Sequence, residues 1–429
     1  MGAIQSIVQY KIPDLYWQWG ILIFLILLMT TYGGFSFWFY QKYSMFTETP
    51  NSIATLLSVR RNTLGSIQPA SFVSVTANLA TGGLVPWSSI NEQYQALHNW
   101  RPLTVRLVGY LGGSNGLENG VFDMNFGVRS ALNLGTRCFL FDIDYLEVAP
   151  CRPLLLYRDK TAYKRSLNSG SILDGMTALS NNAFTNNRDP ILIILYLHRI
   201  PPGNKQQERF FLNLAKSLNP LADNQNHLGE TSLGNFRNCG KEADLFISPI
   251  TNYASKFIVC VNYDTSQLKA TTNPADNLHY WNHARIYQDP QGIDKTLGSV
   301  TPSVATGRSA HIKVASTDQI INTEEAKQPA YAVSCSSVFT ISLAPPEYDY
   351  TNAKMETLLN TLGVQCVPLD VLSLGINPNH AAAKAEILRN KPTPTRVELS
   401  TDNSTSKKDP LSYWYYAPWS FKNIANYVE

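Results

Sequence analysis

An α/β fold, built on a parallel sheet closed or wound by βα units and preceded by one membrane-spanning helix, is what this sequence predicts. Three observations carry it. Short apolar runs alternate with helix-like stretches from about residue 100 onward. Those runs are apolar on both faces, as strands covered by helices are. A single uncharged run near the N-terminus holds most of the apolar surplus of the chain.

Composition bounds the function classes. Of 429 residues, 44% are hydrophobic and only 16% charged, against about 25% charged in an average soluble domain. So much apolar material rules out disorder for most of the chain. A net charge of +3 and a pI near 8.4 are too mild for a nucleic-acid-binding domain, where a pI above about 9 is expected. The six cysteines, Cys138, Cys151, Cys239, Cys260, Cys335 and Cys366, are too sparse and too widely spaced for a disulfide scaffold. No CxxC pair exists for a structural zinc site of the usual type, so buried thiols are expected.

Residues 1–14 form an N-terminal tail beginning Met-Gly-Ala-Ile-Gln-Ser, which fits the myristoylation pattern with Gly2 as acceptor and Ser6 at the hydroxyl position. From Leu15 to Gln41 there is no charge, and Asp14 and Lys42 close the two ends. A run longer than about 20 uncharged residues spans a bilayer. Trp17, Trp19, Trp38 and Tyr40 stand at its ends, where amphipathic rings prefer the headgroup region. A signal peptide is the competing reading, but the core is long and no small-residue cleavage site follows it. Residues 15–41 are therefore expected to be one transmembrane helix, making this a single-pass membrane protein whose first partner is the lipid bilayer. Its orientation stays open. Acylated Gly2 would put the tail in the cytosol and the large domain across the membrane, whereas Lys42, Arg60 and Arg61 after the span, against Lys11 before it, favour the opposite sense. Asn403-Ser404-Thr405 is a glycosylation sequon, meaningful only on a lumenal side.

Residues 42–99, rich in Ser, Thr and Asn, are expected to be a stalk and packing segment. Beyond them the strand candidates are VRLVGYL (105–111), RCFLFDIDYL (137–146), RPLLLY (152–157), PILIILYLH (190–198), KFIVCVNY (256–263) and GVQCVPLDVL (363–372). Helical stretches lie at 172–184, 206–218 and 355–362. This βα alternation spans residues 100–400. Two pieces, 220–255 and 265–330, are rich in Asn, Thr, Ser and Pro and are expected to be long insertions on one rim. Residues 401–429 form an aromatic tail. Its stretch SYWYYAPWSF (412–421) is either an interface or membrane-surface patch or packs against the barrel end.

Four motifs in order carry a family resemblance. Gly135-Thr-Arg-Cys-Phe-Leu-Phe-Asp142 is similar to the Gly-Cys-Arg-Cys-Val-Glu-Leu-Asp of the X-region of phosphoinositide-specific phospholipase C. Upstream, Gly113-Ser114-Asn115 lies where that family has Ser-His-Asn. Downstream, Leu156-Tyr157-Arg158-Asp159-Lys160-Thr161 falls where it has Val-Tyr-His-Gly-His-Thr. Ala183-Phe184 and then Pro190 to His198 follow its Ala-Phe and Pro-Val-Ile-Leu-Ser-Leu-Glu-Asn-His. The resemblance covers about residues 103–212 and implies a TIM-like (β/α) barrel of the phospholipase-C-like phosphodiesterase type. No pleckstrin, EF-hand or C2 module is visible.

The same resemblance implies a degenerate site. Cleavage of a phosphodiester by internal attack needs a base, an acid for the leaving group and a cation for the charge developing on phosphate. The family's two histidines become Ser114, no base near neutral pH, and Arg158, which cannot exchange protons. Of the four calcium ligands in the eukaryotic branch, Asn115 and Asp142 remain, while Leu140 and Tyr196 replace the two glutamates. One carboxylate and one amide suit poorly a hard dication that takes six to eight oxygens. The metal-free bacterial branch replaces calcium by an arginine but still needs both histidines. No cofactor or metal is expected.

Around that pocket, Arg158 is expected to pair with Asp142, or else to bind phosphate beside Asn115. His198 is expected to be a satisfied structural histidine. His279 and His283 stand at i, i+4, a spacing that could grip zinc on a helix, but no HExxH pattern contains them. The expected protein is thus a membrane-anchored, catalytically inactive barrel with a structural or binding role. The acylation pattern, low charge and Asn- and Tyr-rich loops resemble membrane proteins of large DNA virus particles, which would make other virion or membrane proteins its partners. The alternatives are a divergent phosphodiesterase acting on lipid or glycan head groups, with Asp142 or His198 as base, and head-group binding without turnover.

Overall fold

The computed structural model describes residues 14–46, 50–64, 96–112, 120–147, 150–158, 166–222, 242–289, 312–346, 350–370 and 419–421, with single positions at 164, 348 and 372. The chain divides into two compact units, Met1–Thr55 and Leu56–Glu429.

The first unit is dominated by helix α1, Asp14–Phe46, which extends past the expected 15–41. Its window Trp17–Trp38, 22 residues long, is apolar enough to cross a bilayer, and none of it is buried within the protein. At 1.5 Å per residue that window measures about 33 Å, the thickness of a hydrocarbon core. The hydroxyls of Thr30 and Thr31 return to the carbonyls of Ile26 and Leu27 at 2.9 and 2.6 Å, so neither asks for water.

Helix α2, Pro50–Leu64, follows. Its Leu56 and Arg60 are buried and its Arg61 bonds Asp123 at 2.6 Å. The described remainder of the second unit is built around a closed barrel. Strand β1, Trp100–Pro102, lies outside it; the first stave is β2, Thr104–Val105. Helix α3, Met124–Asn133, is capped by Asp123, which accepts from the Phe126 N–H. It leads to β3, Cys138–Asp144, on which the short β4, Leu154–Leu155, pairs antiparallel. Helix α4, Ile172–Asn182, precedes β5, Ile191–Leu197, and α5, Asn204–Ser217, precedes β6, Phe257–Val261. The later staves are β7, Ala284–Gln288, β8, Ile312–Ser316, and β9, Phe339–Leu343, with helix α6, Gln328–Ser337, between the last two.

The sheet runs β2-β3-β5-β6-β7-β8-β9, parallel at every pairing. Residues 364–369 close it. Cys366 bridges Ile341 of β9 and Leu369 bridges Val105 of β2, both parallel. Arg106 N–H donates to Leu369 O at 2.8 Å and Ser342 N–H to Cys366 O at 2.8 Å. Eight parallel staves thus form a ring, as the expected (β/α) barrel requires. Strand alternation then sorts the side chains. Phe139, Phe141 and Ile143 face the helices, while Cys138, Leu140, Asp142 and Asp144 face the axis. Around the axis Cys138, Leu140, Ile194, Cys260, Ile286, Val314, Ile341 and Cys366 fill the interior.

Several expectations are corrected. VRLVGYL gives only Val105 to a stave, the two-residue Thr104–Val105, because Leu107 takes φ 49° and Gly109 φ 84° and the chain turns off the sheet. RPLLLY is no stave; its two paired residues only back onto the end of β3. The second expected insertion, 265–330, contains β7 and β8. Their outward Arg285 and Lys313 hide the strand pattern, and each is neutralised by a carboxylate, Asp264 at 2.8 Å and Asp289 at 2.7 Å. The described cysteines, Cys138, Cys151, Cys260, Cys335 and Cys366, are buried thiols joined by no disulfide, as expected; Cys239 lies outside the described residues.

Candidate functional site

In a (β/α) barrel, chemistry belongs at the C-terminal ends of the staves. Here that end is filled from within. Arg106, just past β2, and Asp142, near the end of β3, point at each other across the interior. Arg106 Nη2 lies 2.7 Å from Asp142 Oδ1, and Nε lies 3.0 Å from both oxygens. Nη1 donates to the carbonyl of Ala344. Burial opposes both charges, yet the pairing outweighs it. The Arg106 pKa is raised, and Arg106 with His198 holds the Asp142 carboxyl well below the usual carboxylate range.

His198, the residue after β5, brings Nε2 to 2.6 Å from Asp142 Oδ1. An ionised carboxylate can only accept, so Nε2 carries the proton and donates it there. The ring stands edge-on to Tyr196, with centroids 5.2 Å apart. Tyr196 is in register with Asp142, and burial pushes its phenol pKa up. Burial pushes Tyr350 up to about 12; its hydroxyl sits 3.3 Å from Thr317 Oγ1, which is 2.7 Å from Ser342 Oγ. Arg106, Asp142, Tyr196 and Tyr350 are each 7% exposed or less.

Outside this plug a second ion cluster forms the rim. Asp144, also buried, accepts from Arg158 Nε at 2.6 Å and Arg199 Nε at 2.7 Å. Arg199 also reaches Glu147 at 2.6 Å and the Tyr145 carbonyl at 2.9 Å. The expected Arg158–Asp142 pair is therefore corrected to Arg158–Asp144. Arg106 already occupies Asp142, and the β3–β4 pairing Asp144↔Leu154 delivers the following residues to the strand end.

Leu140 and Tyr196, which replace the two glutamates of the resemblance, are both buried on the barrel axis. The donor set does not fit a calcium ion. Of the carboxylates that the resemblance places there only Asp142 remains, and its oxygens are engaged by Arg106 and His198. Among the described residues no group of three or more His, Cys, Asp or Glu is placed to hold a metal. His279 and His283 do not share a helical face, because that helix ends at Trp281. His279 Nδ1 lies 3.1 Å from Thr265 Oγ1, whereas His283 is buried and its Nδ1 accepts from Val259 N–H at 2.9 Å. Ser114, Asn115, Gly2 and Asn403 lie outside the described residues.

Sequence reasoning missed Arg106 and Arg199. The signal for Arg106 was present: a lone guanidinium inside the apolar run 105–111 must find a buried partner.

No protein-family model matches the chain, and no curated protein matches it in sequence. Among solved structures it is similar to S. officinalis PLC21 (12% identity, TM-score 0.43) and L. pealei PLC21 (11%, 0.44), in each case over 81% of this chain and 40% of the other. It is also similar to the calcium-dependent phosphoinositol-specific phospholipase C of a Gram-negative bacterium, Pseudomonas sp, at 7% identity and TM-score 0.38, over 67% of this chain and 95% of that one. The chain thus spans about two fifths of the length of the two PLC21 proteins. At such scores the likeness adds nothing to the barrel already read from strand register.

Proposed function

We propose that this chain is a membrane-anchored, phospholipase-C-like barrel that serves as a structural or binding module and does not turn over phosphodiesters. The observation that supports this most is Arg106 seated on Asp142 in the mouth. Turnover needs two proton-transfer groups and a cation facing the phosphate. At the positions the resemblance assigns to the two histidines stand a serine and an arginine. Asp142 is a poor base with its pKa held down, and the arginine charge nearest the axis is spent on that carboxylate. Anchoring is supported by the Trp17–Trp38 window. Acylation at Gly2, glycosylation at Asn403 and residence in a virus particle belong to the same proposal and rest on sequence alone.

One observation favours a second reading, the divergent phosphodiesterase. A buried carboxylate 2.6 Å from a partly exposed imidazole is how an acid–base histidine is oriented. The experiment is hydrolysis of phosphatidylinositol and of soluble head-group diesters by the full chain in micelles. No turnover above background is expected. Turnover that His198→Ala or Asp142→Asn abolishes would replace the inactive reading with the second one.

A further inference from the structure

The end of the barrel opposite the mouth carries a different feature. Strand β10, Trp419–Phe421, arrives there from far along the chain, residues 370–418 separating it from the closing stave. It pairs antiparallel with β1 in the register Trp100↔Phe421, Arg101↔Ser420, Pro102↔Trp419. Trp419 is 1% exposed, and its indole Nε1 donates to the Pro190 carbonyl at 3.0 Å, immediately before β5. It belongs to the same apolar cluster as Leu97, Trp100 and Phe246.

The receiving edge is fixed without help from β10. Leu97 N–H donates to Ser248 O at 3.0 Å, His98 Nδ1 lies 2.8 Å from Phe246 O, and Gln365 Nε2 donates to His98 O at 2.9 Å. An edge strand pinned to the body, beside a hole that takes one large side chain, is the chemistry of strand addition: main-chain bonds supply hold and the pocket supplies selectivity. A two-stranded ribbon is marginal by itself, so the buried indole must carry most of the attachment. The attachment is also small, three residue pairs and one anchor. The intervening chain could span roughly 160 Å at full extension, so covalent geometry lets β10 reach its own barrel or a neighbour's.

We propose that the N-terminal end of the barrel is a strand-receiving seat whose ligand is the chain's own Trp419–Phe421 segment, held exchangeably, so that the same segment of a second copy can occupy it. Exchange of identical segments is a low-cost route to linked copies. The seat lies at the opposite end from the mouth and is independent of whether the mouth is active.

The test uses the full chain in detergent micelles, with Trp419→Ala emptying the seat, and a labelled peptide of residues 412–425. Saturable binding to the variant is expected. A control peptide carrying Trp419→Ala, which keeps Trp414, should bind at least a hundredfold more weakly. A tagged Trp419→Ala chain should capture untagged wild-type chain, and excess peptide should release it. A variant that folds by circular dichroism yet binds neither peptide, or both equally, overturns the seat; failure of capture overturns the exchange between copies. Should Trp419→Ala not fold, a protease site placed within 373–418 of the wild-type chain decides instead. The cut tail must co-elute with the barrel and be displaced by added peptide. A tail lost at once from a folded barrel, or one that excess peptide never displaces, overturns the proposal.

Discussion

Replacing Arg106 by Met tests the reading of the mouth most directly. The side chain keeps its bulk but loses the guanidinium, so three contacts to Asp142 and one to Ala344 vanish together. Asp142 is then left ionised in the interior against His198 Nε2, 2.6 Å away. Both Arg106 and Asp142 have side chains only 4% exposed, so water cannot replace what is lost. Removing one member of such a buried pair costs about 3–5 kcal/mol, whereas replacing both by apolar residues of similar volume is often neutral. Arg106→Met should therefore lose about that much, and Arg106→Met with Asp142→Leu should recover most of it. Urea unfolding of the full chain in micelles, followed by tryptophan fluorescence, reads both. The pH dependence adds a sign. The carboxyl of Asp142 is held below its unfolded value of about 3.9, so its stabilisation is present above that value and lost as pH falls through the folded one. The deficit of the single variant should narrow on acidification below about pH 4. A single variant within about 0.5 kcal/mol of wild type at pH 7, the scatter of ordinary surface changes, would refute the plugged mouth, as would a deficit that widens in acid.

Three further outcomes are expected. Burial lowers the His283 pKa to about 3, below an unfolded value of about 6.5, so the unfolded chain binds the extra proton and stability falls as pH drops from 6.5 toward 3. Between pH 7 and 5 this one group should remove about 2 kcal/mol; His283→Gln, whose amide oxygen can accept from Val259 N–H without titrating, should flatten that limb, and an unchanged limb would assign it elsewhere. Lys313 reaches Asp289 at 2.7 Å and Ser334 Oγ at 3.0 Å beneath helix α6, so Lys313→Met should cost about 3–5 kcal/mol, with partial rescue by Asp289→Leu in the same chain; equal midpoints for wild type and single variant would show the pair to be unimportant. Added calcium should leave the melting temperature where it is, since a site filled at 100 times its dissociation constant would add roughly 2.7 kcal/mol, and a clear upshift would show that other oxygens build a site.

The parts of the fold that sequence made legible are those whose burial is complete on both faces. Cys138–Asp144, Ile191–Leu197 and Phe257–Val261 are buried at every position; the last two read as uninterrupted apolar runs, and the first is broken only by Asp142 and Asp144 at its end. The staves that escaped are those whose outer face is polar by arrangement. Ala284–Gln288 exposes Arg285 and Tyr287 partly to solvent, with the Arg285 guanidinium 5.0 Å from the Tyr287 ring centre. Ile312–Ser316 is buried throughout, yet it carries Lys313, whose charge is cancelled by a residue 24 positions earlier that no local pattern links to it.

The site divides along the same line. Motif order located Asp142 and His198 and brought Arg158 to the rim, because neighbouring staves and a hairpin fix which residues stand at a strand end. Which cation meets which carboxylate was not legible, since that depends on Arg106 entering from the adjacent stave just before the chain leaves the sheet at Leu107. The same turn shapes the start of the mouth. Tyr110 and Phe122 form an antiparallel bridge and the Tyr110 hydroxyl accepts from Gly120 N–H at 3.0 Å. A Cβ on Gly120 would stand 2.3 Å from the carbonyl carbon of Gly112, a separation no side chain tolerates. The backbones of Gly112 and Gly120 therefore meet just beyond the first stave, and a side chain at position 120 would force them apart.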